Sequence, residues 1–148
     1  MKVFLDTNVF LEYFQQRVQY QSVEKIFKAI EDKKMNAVVS AGCIYTLAYI
    51  IRMEFKRMGV YRPEQTTQLR STLDTVLELV TVGNLSHKNI QVAVDDVEFD
   101  DIEDSFQYQC AMQNKCDIFI TVNTRDFRGV TSPGLTILTP EDFSSQFL

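Results

Sequence analysis

The feature of this sequence that most constrains its fold is a series of short, continuous apolar runs separated by longer helical patterns. Runs this short, without alternation of apolar and polar residues, are typical of strands buried on both faces of a parallel sheet. The predicted strands are residues 2–5, 36–39, 79–82, 118–121 and 136–138. Helical spacing of apolar residues covers 23–30, 44–55, 69–77, 86–94 and 102–111, and a last helix begins at Thr139-Pro140. This alternation predicts an α/β fold, namely a three-layer α/β/α sandwich around a five-stranded parallel sheet.

Composition excludes several classes of protein. The 148 residues have room for one core, so residues 1–148 are predicted to form a single domain. A net charge of −5 is not that of a general polyanion binder, and any nucleic acid must meet a local basic patch or a bridging cation. The three cysteines form no close pair, which predicts buried thiols in a reducing cytoplasm. No apolar run approaches the ~20 residues of a membrane span, and no signal peptide is visible.

Polar residues stand where three of the predicted strands end. Asp6-Thr7-Asn8 follows the first strand, Ser40 the second, and Thr121-Val122-Asn123 ends the fourth. Ligands of open parallel sheets bind at this edge. Asp101 and Asp104 open a helix three residues apart, so they share one helical face and repel each other unless a cation lies between them. This pattern fits a Mg²⁺ or Mn²⁺ site, although Asp at a helix start is equally compatible with a simple cap.

These segments together resemble the PIN domain, a family of metal-dependent ribonucleases that includes VapC-like toxins. Residues 2–9 resemble the opening strand of that family, with Asp6 as the first catalytic carboxylate. Residues 101–108 resemble its later acidic helix start, with Asp104 as the next carboxylate, and residues 118–127 resemble the strand and loop that close the site. The resemblance covers nearly the whole chain and implies the strand order 3-2-1-4-5.

Two positions depart from the family pattern. Thr46 stands where the family usually has Glu, and Asn123 stands where it usually has Asp. The chain is similar to a subgroup in which Asp-x-Glu-Asp and Asn-x-x-Asp-Phe occur together. In that case Asp101 or Glu103, together with Asp126, is expected to replace the missing charge, and Asp101 has the better geometry because it shares a helical face with Asp104.

The resemblance implies hydrolysis of RNA phosphodiester bonds with Mg²⁺ or Mn²⁺ as cofactor. The expected catalytic residues are Asp6, Asp101, Asp104, Asn123 and Asp126, and the expected metal ligands among them are Asp6, Asp101 and Asp104. Residues expected to orient the carboxylates are Thr7, Asn8 and Thr121. Basic residues available to assist RNA binding are Arg52, Lys56, Arg57, Arg125 and Arg128. By the same resemblance, a small antitoxin protein is an expected partner and a homodimer is compatible with the family.

Two other functions are compatible with the sequence. In one, Asp6 is the nucleophile of a phosphotransferase similar to the haloacid dehalogenases, which place an acid two residues after the nucleophile, where this chain has Asn8. In the other, the PIN fold has lost catalysis with the carboxylates at positions 46 and 123 and serves as an RNA- or partner-binding module. Activity on small phosphate esters would indicate the first function, and failure to bind Mn²⁺ the second.

Overall fold

The structure, a computed structural model, describes residues 1–127, 129–130 and 134–148. Five parallel strands form one sheet in the order β3-β2-β1-β4-β5, as the sequence and the resemblance predict. Their bounds are Lys2–Leu5 (β1), Asn36–Ser40 (β2), Val80–Gly83 (β3), Ile118–Ile120 (β4) and Thr136–Leu138 (β5). The central strand β1 therefore has β2 on one side and β4 on the other.

Helices connect the strands in the way a parallel sheet requires. They are α1 (Thr7–Phe14), α2 (Tyr20–Glu31), α3 (Ala41–Arg57), α4 (Glu64–Leu79), α5 (His87–Asp95), α6 (Ile102–Gln113) and α7 (Pro140–Phe147), with a 3₁₀ turn over Thr124–Phe127. Gly59 follows the end of α3 with φ of +80°, a conformation that favours glycine. Helix α1 has no counterpart in the sequence prediction, which interpreted residues 6–8 only as a turn or cap. It begins directly after β1 and buries Val9 and Phe10.

The two faces of the sheet bury different apolar clusters, which establishes the three layers. Val3 and Leu5 of β1 point into a core shared with α1, α2, α3, α4 and α7. Phe4 points to the opposite face, where it stacks on Phe119 and meets buried residues of α6. Successive side chains of a strand point to opposite faces, so residues with the parity of Phe4 face α6.

The predicted state of the cysteines is confirmed. Cys43, Cys110 and Cys116 are all buried free thiols, and burial raises the pKa of each, to about 12 for Cys43 and about 11 for the other two. A thiol with such a pKa is uncharged at neutral pH and is a poor nucleophile. None of the helices in the described ranges has the length and apolar character needed to cross a bilayer.

Candidate active site

Strand register brings three polar residues side by side at the carboxyl edge of the sheet. Phe4 pairs with Val38 and Leu5 pairs with Ile120, so Asp6 follows in line with Ser40 and Thr121. All three have the parity that faces α6, and all three are buried. The sequence prediction that polar residues gather at this edge is therefore confirmed.

Asp6 is a buried carboxylate surrounded by neutral hydrogen-bond donors. Its Oδ2 accepts hydrogen bonds from Thr121 Oγ1 and Asn8 Nδ2, both at 2.7 Å, and its Oδ1 accepts one from Gln107 Nε2 at 2.6 Å. Burial raises the pKa of Asp6 above its usual value, and the hydrogen bonds, that of Thr121 foremost, oppose this rise. The carboxylate is held in one orientation, and Asn8 and Thr121 have the orienting role that the sequence predicts.

Thr121 and Asn8 extend this hydrogen-bonding to the loop after β4. Asn8 donates to Thr121 Oγ1 at 3.1 Å, and its Oδ1 accepts from the backbone N–H of Val122 at 3.2 Å. Thr121 Oγ1 also accepts from the backbone N–H of Asn123 at 3.1 Å. The start of the loop is thereby tied to Asp6, so the position of one carboxylate determines where the next residues of the site lie.

Gln107 is the site residue that the sequence analysis missed. It lies on α6, is buried, and joins the ends of β1 and β2: its Nε2 donates to Asp6 and to Thr7 Oγ1 at 3.4 Å, while its Oε1 accepts from Ser40 Oγ at 3.4 Å. A signal for it exists in the sequence. Gln107 follows Asp104 by three residues, hence on the same helical face, and stands among apolar positions of that helix, where a polar side chain requires a buried partner.

Asp104 lies in the first turn of α6, and its carboxyl group is partly buried. Partial burial raises its pKa to about 7, with further contributions from the charges of Asp6, Asp101 and Asp126 and from a hydrogen bond with the Asp126 carboxyl group. Without a cation, Asp104 is thus half protonated near neutral pH. The structure brings Asp104 together with both Asp6 and Asp126.

Asn123 holds Asp126 in this position. Its side-chain Nδ2 donates to the Asp126 carboxylate, and the backbone N–H of Asp126 donates to Asn123 O at 3.3 Å. The 3₁₀ turn after β4 therefore carries the Asp126 carboxylate back toward α6. Asn123, which stands where the resembled family usually has Asp, therefore contacts Asp126, the carboxylate expected to compensate for that change. The catalytic role of both residues stays a prediction.

The remaining candidates have other contacts. Asp101 caps α6, because its Oδ1 accepts from the backbone N–H of Glu103 at 2.9 Å, and its charge acts on Asp104 without a direct hydrogen bond. Glu103 lies within electrostatic range of Cys43 on α3. Thr46 lies in the second turn of α3 and is half-buried. Asp101 is thus occupied by the capping role that the sequence analysis left open, and its role as a metal ligand stays a prediction.

A family model described as the PIN domain matches residues 2–125. The chain belongs to the PIN-domain family. It is 25% identical over 148 residues to Ribonuclease VapC1 of Aquifex aeolicus (strain VF5), across 99% of this chain and 95% of that protein. Two solved structures share its fold at 16% identity. VapBC2 from Rickettsia felis, bound to a DNA fragment from their promoter, matches with a TM-score of 0.65 over 94% of this chain and 98% of that one. VapBC-1 from nontypeable Haemophilus influenzae matches with a TM-score of 0.64 over 95% of this chain and 99% of that one.

This VapC-like PIN domain has a donor set that fits a divalent cation. After burial, the charges of Asp6, Asp101 and Asp126 raise the pKa of Asp104, and a positive ion among these carboxyl groups would oppose that rise. Within the described part of the chain, no three His, Cys, Asp or Glu side chains close into a cage for a metal ion. Mg²⁺ does not need one, since proteins usually hold it by one or two carboxylates with water completing the shell.

The basic residues predicted to assist the PIN site fall into three groups. Arg52 and Lys56 lie together on α3 beside a surface hollow. Arg57 is paired with Glu54 at 2.8 Å, and Arg125 is exposed on the 3₁₀ turn. Arg128 lies outside the described residues.

Proposed function

We propose that this PIN domain is a divalent-metal-dependent endoribonuclease and the toxin of a toxin–antitoxin pair. The observation that carries the proposal is the arrangement of Asp6, Asp104 and Asp126. Asp6 is a buried, firmly oriented carboxylate within electrostatic range of Asp104, and Asp104 also contacts Asp126. Similarity to a ribonuclease over 99% of the chain supports the same conclusion, and membership of the PIN-domain family favours it over the phosphotransferase alternative.

Each residue has a distinct part in the proposed chemistry. A divalent cation, when bound, supplies a Lewis acid for the scissile phosphate and lowers the pKa of an attacking water. Asp6 would hold the cation in a fixed direction, because Thr121, Asn8 and Gln107 hold both of its oxygens. Asp104, whose pKa is about 7 in the metal-free protein, would hold the cation through its ionised carboxylate, which a nearby positive charge favours. Asp126, held by Asn123, supplies negative charge in place of the usual Asp.

Isosteric replacement of the two central carboxylates tests this assignment. Asp6→Asn and Asp104→Asn should each reduce Mg²⁺- or Mn²⁺-dependent RNA cleavage by roughly 100-fold or more, because even partners of metal ligands typically contribute 10- to 100-fold. Asp74→Asn is the matched control, since Asp74 is exposed on α4 and should leave cleavage unchanged. Circular dichroism verifies that all three variants fold.

Two results would contradict the proposal. Cleavage by Asp6→Asn at the parent rate would remove the catalytic assignment. A parent protein that binds RNA but neither binds Mn²⁺ nor cleaves would identify the non-catalytic binding module that the residues at positions 46 and 123 allow.

The antitoxin partner is supported by an apolar cleft between α1, α2 and α4. The cleft has a volume of about 620 Å³. Apolar side chains, among them Phe10, Tyr13, Phe14, Phe27 and Val76, line it together with charged residues such as Glu24, Lys28 and Glu78. Phe14 is partly exposed at its edge. A partner segment with apolar side chains at helical spacing would bury this surface. Phe14→Asp should weaken co-purification with the antitoxin without changing RNA cleavage, and unchanged co-purification would place the partner elsewhere.

A further inference from the structure

A row of aromatic and basic side chains covers the exposed face of α3. Tyr45, Tyr49, Arg52 and Lys56 follow one another at spacings of three and four residues, so they share one side of the helix. The opposite side is buried through Cys43, Leu47 and Ile51. Tyr45 is 76% exposed and Tyr49 is 57% exposed, so part of each ring is accessible to a binding partner, while Arg52 lies over one face of the Tyr49 ring.

The row continues into a hollow between the end of α3 and the start of α4. Arg52, Lys56 and Arg62 contribute three cations to its walls. Tyr61, which is 62% exposed, contributes a third aromatic ring, and Met53 an apolar side chain. The hollow has a volume of about 430 Å³. Of the ion pairs formed by the described residues, none includes these three cations, and the guanidinium of Arg52 lies 5.8 Å from the ring centroid of Tyr49.

The clustering of these three cations stands out in an acidic protein. The net charge is −5, and Lys28 and Arg57 are balanced by acids one turn away on the same helix, whereas Arg52, Lys56 and Arg62 lie around one hollow. Three cations without acidic partners produce a local positive potential on an acidic molecule. Such a potential, next to exposed rings, matches an anionic ligand that also has flat apolar faces.

The N-terminal end of α3 lies at the candidate active site, and Tyr45, the first residue of the row, stands in the second turn of that helix. Ser40 precedes α3 and contacts Gln107, while the Cys43 thiol in the first turn is acted on by the charge of Asp6. At about 1.5 Å of rise per residue, Arg52 lies roughly 14 Å along the helix from Cys43, and Lys56 roughly 20 Å. A polymer with one phosphate in the site can therefore extend along α3 to these cations.

We infer that the Tyr45–Tyr49–Arg52–Lys56 face of α3, with Tyr61 and Arg62, binds single-stranded RNA that runs from the carboxylate site. This inference rests on the proposed function. The cations contact phosphates, and the tyrosine rings stack with bases, a combination that binds single strands with little sequence preference. A protein partner is less favoured, because the three cations form none of the ion pairs among the described residues and would be desolvated without compensation at an apolar interface.

The test measures RNA binding rather than cleavage. In an Asp104→Asn background, the triple variant Arg52→Gln, Lys56→Gln, Arg62→Gln is compared with its parent by fluorescence anisotropy of a short labelled single-stranded RNA at several salt concentrations. Each phosphate contact contributes about 0.7 to the slope of log affinity against log salt, so three lost contacts should reduce the slope by about 2. At about 0.1 M salt this corresponds to a loss of roughly 10- to 100-fold in affinity.

Two further variants separate charge from stacking. Lys25→Gln, Lys33→Gln, Lys88→Gln removes the same charge from exposed positions outside the row and should leave the salt slope unchanged. Tyr49→Leu should weaken binding several-fold without changing the slope, because stacking releases no counterions.

The outcomes are distinct. A salt slope unchanged in the α3 triple variant would overturn the inference, whether or not the parent cleaves RNA. An α3 triple variant that binds RNA like its parent but changes from dimer to monomer in analytical ultracentrifugation would also overturn it and identify the face as a contact between copies. RNA binding lost in the α3 variant, with no metal-dependent cleavage by the parent, would leave the inference standing and remove the proposed function.

Discussion

Asp104→Asn should make the metal-free protein more stable at pH 8 while leaving its stability near pH 4 unchanged. The pKa of Asp104 rises from an ordinary value of 3.8 to about 7 on folding. The folded protein therefore holds more protons than the unfolded chain between these values. The contribution of Asp104 to stability is full below pH 3.8 and is lost as the pH rises through 7.

The size of the effect follows from that difference. About three pKa units at about 1.4 kcal/mol each give roughly 4 kcal/mol as an upper bound. Asp104 is only partly buried, so solvent screening reduces the expected gain in Asp104→Asn to about 1–2 kcal/mol at pH 8. A smaller dependence on pH remains in the variant, because burial also raises the pKa of Asp6.

Urea unfolding of the parent, Asp104→Asn and the control Asp74→Asn at pH 4, 6 and 8 measures this effect. Adding Mn²⁺ should then stabilise the parent at pH 8 and stabilise the Asp104 variant much less, because a ligand that binds only the folded state acts by mass action. Free energies of unfolding that run parallel with pH for parent and variant would refute the electrostatic reasoning.

Two further substitutions test the rest of the site. Gln107→Leu should reduce the free energy of unfolding by about 1–3 kcal/mol, because Asp6 and Ser40 lose a buried partner, and it should raise the pKa of Asp6 further. Urea unfolding measures the first effect and carboxyl NMR titration the second. An unshifted pKa of Asp6 would contradict the role of Gln107. Thr46→Glu should lower the melting temperature without metal, because it adds a carboxylate to a site that already holds others, and Mn²⁺ should restore the melting temperature. An equal loss of melting temperature with and without Mn²⁺ would place Thr46 outside the site.

Most of the fold could be predicted from the sequence because the strands are buried on both faces and therefore appear as unbroken apolar runs. The predicted strands agree with the observed ones to within a residue at each end, and α4 extends through Leu79, which the prediction had placed in β3. Helix α1 could not be predicted in the same way. Its eight residues make about two turns, too few for a helical period to be distinguished, and its burial depends on the contact of Phe10 with Phe27 on α2.

The candidate site could be predicted in part. Asp6 and Asp104 could be found because each stands at a boundary between an apolar run and a helix. The contact between Asp104 and Asp126 depends on how the 3₁₀ turn folds, which Asn123 determines through a hydrogen bond that spacing does not reveal. Gln107 joins β1 and β2 from a helix more than 60 residues later in the chain than Ser40, and such contacts become visible only once the sheet and α6 are packed.

The order of strands has a consequence for synthesis of the protein. The central strand β1 and Asp6 leave the ribosome before the other parts of the site, and their partners on one side, Ile118–Ile120 and Thr121, are made more than 110 residues later. Until then the nascent chain has an unpaired edge on β1, and Asp126 has not yet been made. A growing chain folds from its N-terminal part as soon as contacts allow, and here the contacts that complete the site are the last to become available. A site built in this order is not assembled until the chain has been translated past Asp126.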